Sequence, residues 1–193
     1  MLLKNLKTNF LGKNAIYYKQ IDSTQKQIWK LLENNDIPNG TLIMADIQTN
    51  GIGTHDRVWY TDEENNIAFS FFIKMNCNIK GLDGITIKIA QIIQDLFKNL
   101  YHIELQIKEP NDIVYRGKKI GGILTQTKVI GENVKYLVIG IGINTEKQNF
   151  NGDIKNIATS IKKEFNIYID PKEFITEFCN QFENEILTPM QML

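Results

Sequence analysis

The sequence is poor in the features that define secreted, metal-binding or membrane proteins. Only two cysteines and two histidines occur among its 193 residues. Cys77 and Cys179 match no CxxC or Cys/His ligand spacing, and residues 1–10 lack the continuous apolar stretch of a signal peptide. We therefore expect the protein to reside in the reducing cytoplasm.

The sequence also lacks an excess of charge of either sign. Lysine plus arginine equals aspartate plus glutamate at 22 each, so there is no overall positive field for nucleic acid or for an anionic membrane surface. We see no stretch that could span a membrane. The sequence thus predicts no nucleic-acid or membrane partner, and any anionic ligand must be held by a local cluster of cations.

What remains is an ordinary globular composition, with 42% hydrophobic, 10% aromatic and 23% charged residues. Such a chain can bury a normal core, and the composition argues against disorder. A length of 193 residues fits one compact domain rather than two full ones. We expect residues 1–193 to form a single domain.

The apolar pattern alternates between strand-like and helix-like segments. Helices are predicted after the cap-type residues at 22–25, across 82–100 and from Asp170-Pro171 onward. Strands are predicted at 15–20, 41–47 and 67–73 and as hairpins between 103 and 144, with residues 48–59 as a long loop. The fold class predicted is α+β: one mixed, largely antiparallel sheet with helices packed mainly on one face.

The two segments that indicate function most strongly each begin with a lysine, followed by polar residues in one and by glycines in the other. Lys108-Glu-Pro-Asn-Asp112 joins two predicted strands, and Pro110 restricts Glu109 to extended geometry. Lys119 stands beside Gly121 and Gly122, and glycine inside a strand often marks close approach of a ligand. Each segment alone is also compatible with an ordinary polar turn.

A third segment, Val138–Asn144, is apolar but contains two glycines and ends in a polar amide. It lacks the following helix and the third glycine of a dinucleotide-binding fingerprint, so we reject that interpretation. Taken in order, these pieces resemble the biotin–protein ligases, which share a superfamily with the lipoate ligases. The similarity runs from about Asp22 to Ile161.

The resemblance rests on five ordered motifs. The family's Asp-Ser-Thr-Asn turn is similar to Asp22–Gln25, and a glutamine at a strand end to Gln48. Its Lys-Trp-Pro-Asn-Asp is similar to Lys108–Asp112, its Lys-(Ile or Leu)-x-Gly-Ile-Leu to Lys119–Leu124, and its Gly-x-Gly-(Ile or Leu)-Asn to Gly140–Asn144. It implies the biotin/lipoate ligase fold, which is like that of class II aminoacyl-tRNA synthetases.

The activity implied is formation of biotinyl-adenylate from biotin and Mg²⁺-ATP, then transfer of biotin to a lysine of the biotin carboxyl carrier protein of acetyl-CoA carboxylase. Biotin and ATP would be substrates, with no permanently bound cofactor. The implied catalytic residues are Lys119, Arg57 and Lys108. Those implied for biotin are Ser23, Thr24, Gln25, Gln48, Ile52, Gly53, Thr54, Lys119, Gly121 and Gly122. Those implied for the nucleotide are Arg57, Trp59, Lys108, Asn111 and Asn144. No metal ligands can be assigned, although Asp112 is a candidate.

The chain departs from the family in the loop that folds over the adenylate. The family's Gly-Arg-Gly-Arg-x-Gly-Arg-x-Trp is replaced here by Gly51–Trp59, with Ile52, Thr54 and Asp56 in place of two arginines and a glycine. We expect weaker retention of phosphate and slow or leaky catalysis. Glu109 replaces the usual tryptophan, and Gln126 stands where an acid is frequent.

Two alternatives stay open: a lipoate or octanoate ligase or transferase, and an inactive module that binds biotin or a nucleotide. About 14 residues precede the first predicted strand, too few for a helix-turn-helix. We therefore expect no operator binding. We also expect no complete C-terminal β-barrel domain, and a homodimer is possible.

Overall fold

The computed structural model describes residues 2–34, 37–61, 66–147, 149–150 and 152–188, except the side chain of Asp56. The described residues form an eight-stranded sheet in the order β1-β2-β4-β8-β7-β6-β5, with β3 paired to β2. Its strands are β1 (Ala15–Ile21), β2 (Leu42–Ile52), β3 (Val58–Thr61), β4 (Ile67–Asn78), β5 (Gln106–Lys108), β6 (Asp112–Tyr115), β7 (Lys118–Ile130) and β8 (Asn133–Ile143).

The helices are α1 (Thr24–Asn34), α2 (Ile85–Tyr101), α3 (Ile161–Phe165) and α4 (Pro171–Phe182), with short 3₁₀ turns at Thr54–Asp56, Ile79–Leu82 and Gly152–Ile154 and a π-helical turn at Glu183–Leu187. Only the β1–β2 pair is parallel among the strand pairs of the described residues. The prediction of a mixed, largely antiparallel α+β fold is thus confirmed.

Alternation along β4 divides the hydrophobic residues between the two faces of the sheet. Phe69 and Phe71 face the larger core, where they meet Phe178 and Phe182 of α4 at ring-centroid distances of 5.3–6.0 Å. Phe72 faces the smaller core with Ile28 of α1. Because successive side chains of a strand point to opposite faces, α2 and α4 cover one face and α1 covers the other.

A buried carboxylate in the turn after α4 binds the segment that precedes β1. Glu183 is 4% exposed and accepts the backbone N–H groups of Asn9, Phe10 and Leu11. A buried carboxylate needs such partners because an unpaired charge in the interior is costly.

Nearby, burial raises the pKa of the Cys179 thiol far above its ordinary value. Cys179 is therefore a neutral packing residue.

The predicted loop at 48–59 is shorter than expected. β2 continues through Asn50-Gly51 to Ile52 and pairs with β3 across a register shift between Gln48 and Gly51. The carbonyl oxygen of Trp59 lies 2.5 Å from the position that a Cβ of Gly51 would occupy. Prediction of a break here was wrong because this glycine permits a close strand approach inside a bulge.

Candidate active site

A small cavity opens between α1 and the strands β2, β4, β7 and β8. Its empty space, counted out to and including the open mouth, is about 430 Å³. Its lining is polar at the start of α1 and otherwise formed largely by strand residues. The polar side chains that line it are Ser23, Thr24, Gln25, Gln48, Thr54, Ser70, Asn111 and Lys119.

A hydrogen-bonded chain crosses the floor of this small cavity. The Thr24 hydroxyl donates to Gln48 Oε1 at 3.0 Å, and the Thr24 and Ser70 hydroxyl oxygens are 2.8 Å apart. Gln48 Oε1 also accepts the Thr24 backbone N–H at 2.8 Å, while Gln48 Nε2 donates to Thr61 at 3.2 Å. These bonds fix the direction of each polar group before a ligand arrives, which lowers the cost of binding.

A larger cavity adjoins the first and is bordered mainly by loops and strand ends. Its empty space is about 1110 Å³ out to a wide mouth. The charged residues of its described lining are four cations and one carboxylate: Arg57, Lys108, Lys119, Lys147 and Asp112. Such an excess of positive charge favours an anion, and the walls concentrate the field of these groups. The charge of the larger cavity is therefore suited to an anionic ligand.

Four residues, Gly53, Thr54, Trp59 and Lys119, line both cavities. The indole of Trp59 lies against the backbone of two paired strands. A Cβ at Gly142 would come within 2.3 Å of this ring, and one at Gly122 within 3.3 Å. Gly122 and Gly142 face each other in the β7–β8 register. The glycines of two separate motifs thus make one flat surface for one aromatic ring.

Lys119 is the charged group at the junction of the cavities. Its Nζ lies 2.6 Å from Asp112 Oδ1 and 5.6 Å from the centroid of the Trp59 ring. The two charged side chains are only 31% and 24% exposed, so their attraction is less screened than that of a surface pair. Asp112 is therefore the carboxylate partner of the Lys119 ammonium in this structure.

The backbone around Lys119 is anchored from the segment before α3. Lys119 N–H donates to the Ile157 carbonyl at 2.8 Å, and Thr159 N–H donates to the Lys119 carbonyl at 2.9 Å. Asn144 is 7% exposed, and its Nδ2 donates to the Thr159 carbonyl at 3.2 Å. The Asn144 amide therefore ties the end of β8 to the segment that holds Lys119.

The structure brings most of the residues implied by the resemblance into these two cavities. The small cavity is lined by all of those implied for biotin except Gly121: Ser23, Thr24, Gln25, Gln48, Ile52, Gly53, Thr54, Lys119 and Gly122. Of those implied for the nucleotide, Arg57, Trp59, Lys108 and Asn144 line the larger cavity. The motifs that are scattered along the chain therefore converge.

Two of the implied residues lie elsewhere. A Cβ at Gly121 would meet Ile113 and Ile143 side-chain atoms at 3.4 Å, so this position faces the core. Asn111 lines the small cavity rather than the larger one, and its Nδ2 donates to the Ile123 carbonyl at 3.1 Å. Neighbouring strand residues face opposite ways, which is why Gly121 and Gly122 differ.

The lining side chains that sequence reasoning missed include Ser70 and Lys147. Ser70 interrupts the apolar run of β4 and could have been found as a lone polar residue in a buried strand. Lys147 is 3% exposed, with its Nζ 5.7 Å from the Phe150 ring centroid. It follows Asn144 by three residues, in a segment that reads as a solvated turn. No pattern signals its burial.

The described residues contain no group of three or more histidine, cysteine, aspartate or glutamate side chains arranged to hold a metal ion. Asp112 is committed to Lys119. Within the same part of the chain, every helix is too short or too polar to cross a membrane.

The family of the protein is shown by a comparison with known protein families. Residues 17–144 match the biotin/lipoate A/B protein ligase family. This match covers about two thirds of the chain, and the chain belongs to that family.

The chain is also similar to individual members of this family and to solved structures. The bifunctional ligase/repressor BirA of Bacillus subtilis is 34% identical over 97% of this chain and 60% of its own length. A biotin–[acetyl-CoA-carboxylase] ligase of Paracoccus denitrificans is 35% identical over 37% of this chain and 31% of its own. Among solved structures, the Aquifex aeolicus biotin protein ligase in complex with biotin and ATP is similar, with a TM-score of 0.70 and 26% identity; the match covers 90% of this chain and 73% of that one. The chain thus spans about 60% of the length of the Bacillus relative.

Proposed function

We propose that this protein is an ATP-dependent biotin–protein ligase. The observation that carries the proposal is the meeting of two unlike cavities at Lys119. One cavity is polar with a single charged residue in its lining, and the other is lined by four cations and one carboxylate. The first suits a neutral ring system on a carboxylate chain, and the second suits a triphosphate.

In the first half-reaction an oxygen of the biotin carboxylate attacks the α-phosphorus of ATP. The bond from that phosphorus to the oxygen bridging to the β-phosphate breaks, and pyrophosphate leaves. Two anions must approach each other, so the protein contributes mainly positioning and cations that offset repulsion. Lys119 is placed between the cavities, where its ammonium can contact both the carboxylate and the α-phosphate after leaving Asp112.

The other residues have supporting roles in this proposal. Lys108 and Arg57 bind the β- and γ-phosphates as charge-assisted donors. Trp59 gives the adenylate an apolar wall shared by both cavities. Mg²⁺ arrives with ATP as part of the substrate. Asn144 orients the nucleotide end through its backbone anchor.

In the second half-reaction a lysine amine of the acceptor attacks the carbonyl carbon of biotinyl-adenylate. The bond to the AMP oxygen breaks, AMP leaves, and the amine loses a proton to give an amide. We propose the biotin carboxyl carrier protein of acetyl-CoA carboxylase as the acceptor, which agrees with the name of the Paracoccus relative. A cytoplasmic location and a homodimer stay predictions.

A lipoate or octanoate ligase is the main alternative, since both activities occur in the superfamily. The floor of the small cavity argues against it, because this floor is built from the polar side chains of Thr24, Gln48 and Ser70. A dithiolane ring or an alkyl chain is apolar and is buried more favourably among apolar side chains. Biotin carries a ureido ring with two N–H donors and one carbonyl acceptor, which suits this floor.

The test is exchange of labelled pyrophosphate into ATP, measured separately with biotin, lipoate and octanoate. This assay isolates the first half-reaction and needs no acceptor. We expect exchange with biotin alone. Exchange with lipoate or octanoate but not with biotin would reassign the substrate. No exchange with any acid, from folded protein with Mg²⁺, would leave a binding module.

A further inference from the structure

One lysine of the larger cavity lies outside every motif that indicates the family. Lys147 lines this cavity but is only 3% exposed, and its Nζ lies 5.7 Å from the centroid of the Phe150 ring. Phe150 is buried and lines the same cavity. Lysine is rarely buried to this extent, because its ammonium loses water in the interior. A buried ammonium in the wall of a cavity is therefore a candidate ligand-binding group.

The backbone of Lys147 is fixed by one buried amide. Asn66 is 4% exposed, and its Oδ1 accepts three consecutive backbone N–H groups, those of residues 145–147, at 2.9, 3.1 and 3.4 Å. Three donors at one atom identify it as the oxygen of the amide, because the amide nitrogen accepts no hydrogen bond. Asn66 therefore sets the position of Lys147 before a ligand binds, which lowers the entropy lost on binding.

The larger cavity has fewer loop cations than the family motif would provide. Ile52 and Thr54 stand where that motif has arginines, and Thr54 lines the cavity. The Lys119 ammonium lies 2.6 Å from the carboxylate of Asp112, which offsets its charge. A triphosphate carries several negative charges, and these must be paired when water is displaced from them. Lys147 supplies a cation from a different part of the chain, the segment after β8.

We propose that the Lys147 ammonium binds a phosphate group of ATP and replaces charge that the loop has lost, with Asn66 as its positioning residue. The proposal rests on the proposed function for the identity of the anion. A charge-assisted hydrogen bond from a buried ammonium to phosphate is stronger than the same bond at the surface, because less water screens it. Lys147 should therefore contribute more to ATP binding than an exposed lysine nearby.

Calorimetric titration with Mg²⁺-ATP tests the role of Lys147. Lys147→Met keeps the length of the side chain and removes its charge, and we expect a loss of ATP affinity of about tenfold or more. Lys163→Met is the matched control, because its Nζ lies 5.7 Å from the same Phe150 ring while the residue is exposed and outside the lining of the cavity. It should change the affinity by about twofold or less.

Replacement of the lost loop charge is tested by adding a cation back. Thr54→Arg is expected to raise the ATP affinity of Lys147→Met several-fold, which is more than it gains with Lys147 in place. The reason is that a second cation gains less beside an anion whose charge is already offset. An equal gain in both backgrounds would show that the two positions act independently, and it would overturn the replacement.

The positioning role of Asn66 is tested by a double-mutant cycle. Asn66→Ala removes the acceptor of three N–H groups and is expected to lower ATP affinity several-fold. In a Lys147→Met background the same substitution should have a smaller effect, because the group that it positions is absent. Additive losses would mean that Asn66 does not act through Lys147. Thermal unfolding identifies a variant that fails to fold, and the comparison of Lys147→Met with Lys163→Met then decides the proposal alone.

The outcomes separate this inference from the proposed function. Full ATP affinity in Lys147→Met, or an equal loss in Lys163→Met, overturns the inference even if the wild-type protein catalyses biotin-dependent exchange. A loss of ATP affinity confined to Lys147→Met supports the inference even if exchange is absent, in which case the ligase proposal fails alone. A wild-type protein that binds no ATP overturns both.

Discussion

The two cavities of the site are built by different means. The small cavity is framed by hydrogen-bonded strands and the first turn of α1, and Lys119 is the single charged residue of its lining. The larger cavity is bordered by loops and strand ends and has an excess of cations. Strands hold side chains in fixed directions, whereas loops vary more readily in sequence.

The departures of this chain from the family motifs fall on both kinds of element. Strands and strand ends keep Lys108, Lys119 and Asn144, while the two arginines of the family loop are replaced by Ile52 at the end of β2 and by Thr54 in the turn before β3. The larger cavity nonetheless keeps a positive lining, to which the buried Lys147 contributes. The positive charge of the larger cavity is therefore supplied from several elements.

The largest effect on activity is expected from a substitution of Lys119, which lies at the junction of the two cavities. Lys119→Ala should lower biotin-dependent pyrophosphate exchange by about 100-fold or more, the scale of losing one group that stabilises developing charge. Lys118→Ala is the matched control, because this neighbouring lysine is outside the lining of both cavities. Equal activities of the two variants would remove Lys119 from the proposed chemistry.

The second largest effect is expected at the Trp59 ring, which lines both cavities. Gly142→Ala places a methyl group within 2.3 Å of the Trp59 ring, so the ring must shift from the position in which it lines both cavities. Overpacking costs about 1–3 kcal/mol, and we expect at least about a tenfold loss in affinity for both biotin and ATP by calorimetry. Gly81→Ala is the control, since its Cβ would meet no atom closer than 3.7 Å.

A double-mutant cycle separates contact with the ring from general damage. In a Trp59→Ala background, Gly142→Ala should have little further effect, because the obstructing ring is gone. Additive losses in the double variant would mean that Gly142 acts independently of Trp59.

A smaller effect is expected from the carboxylate that holds Lys119. Asp112→Asn removes the competitor for the ammonium, so affinity for ATP without Mg²⁺ should rise by about threefold, as expected for a partly exposed ion pair. The exposed Asp83→Asn serves as the charge-matched control in the same titration. A fall in affinity would show that Asp112 assists nucleotide binding rather than competing with it.

The smallest effect is expected in the loop. Thr54→Arg restores one of the two missing cations, and the affinity for ATP should increase by about twofold at low salt and less at high salt. Thr54→Gln adds length without charge and should leave the affinity unchanged. An equal gain in both variants would indicate a packing effect.

Much of this architecture was predictable from the sequence. The caps at Asp170 and after Asp22, the alternation of β4 and the hairpins after residue 103 are local patterns, and the ordered motifs indicated which segments meet. The end of β2 was predicted wrongly, because a bulge depends on its partner strand. The facing of Gly121 and Asn111 depends on register, and the burial of Lys147 depends on the fold around it. The pattern of a single sequence contains neither the register of the strands nor the packing of distant segments around a residue.

The most direct test of the account is a crystal structure of the protein with biotin and ATP bound together. The account predicts the ureido ring in the small cavity beside Gln25 and Thr24. It also predicts the triphosphate beside Lys108 and Arg57, with the biotin carboxylate and the α-phosphate both at Lys119. Biotin in the larger cavity, or a nucleotide whose phosphates do not reach Lys119, would contradict it.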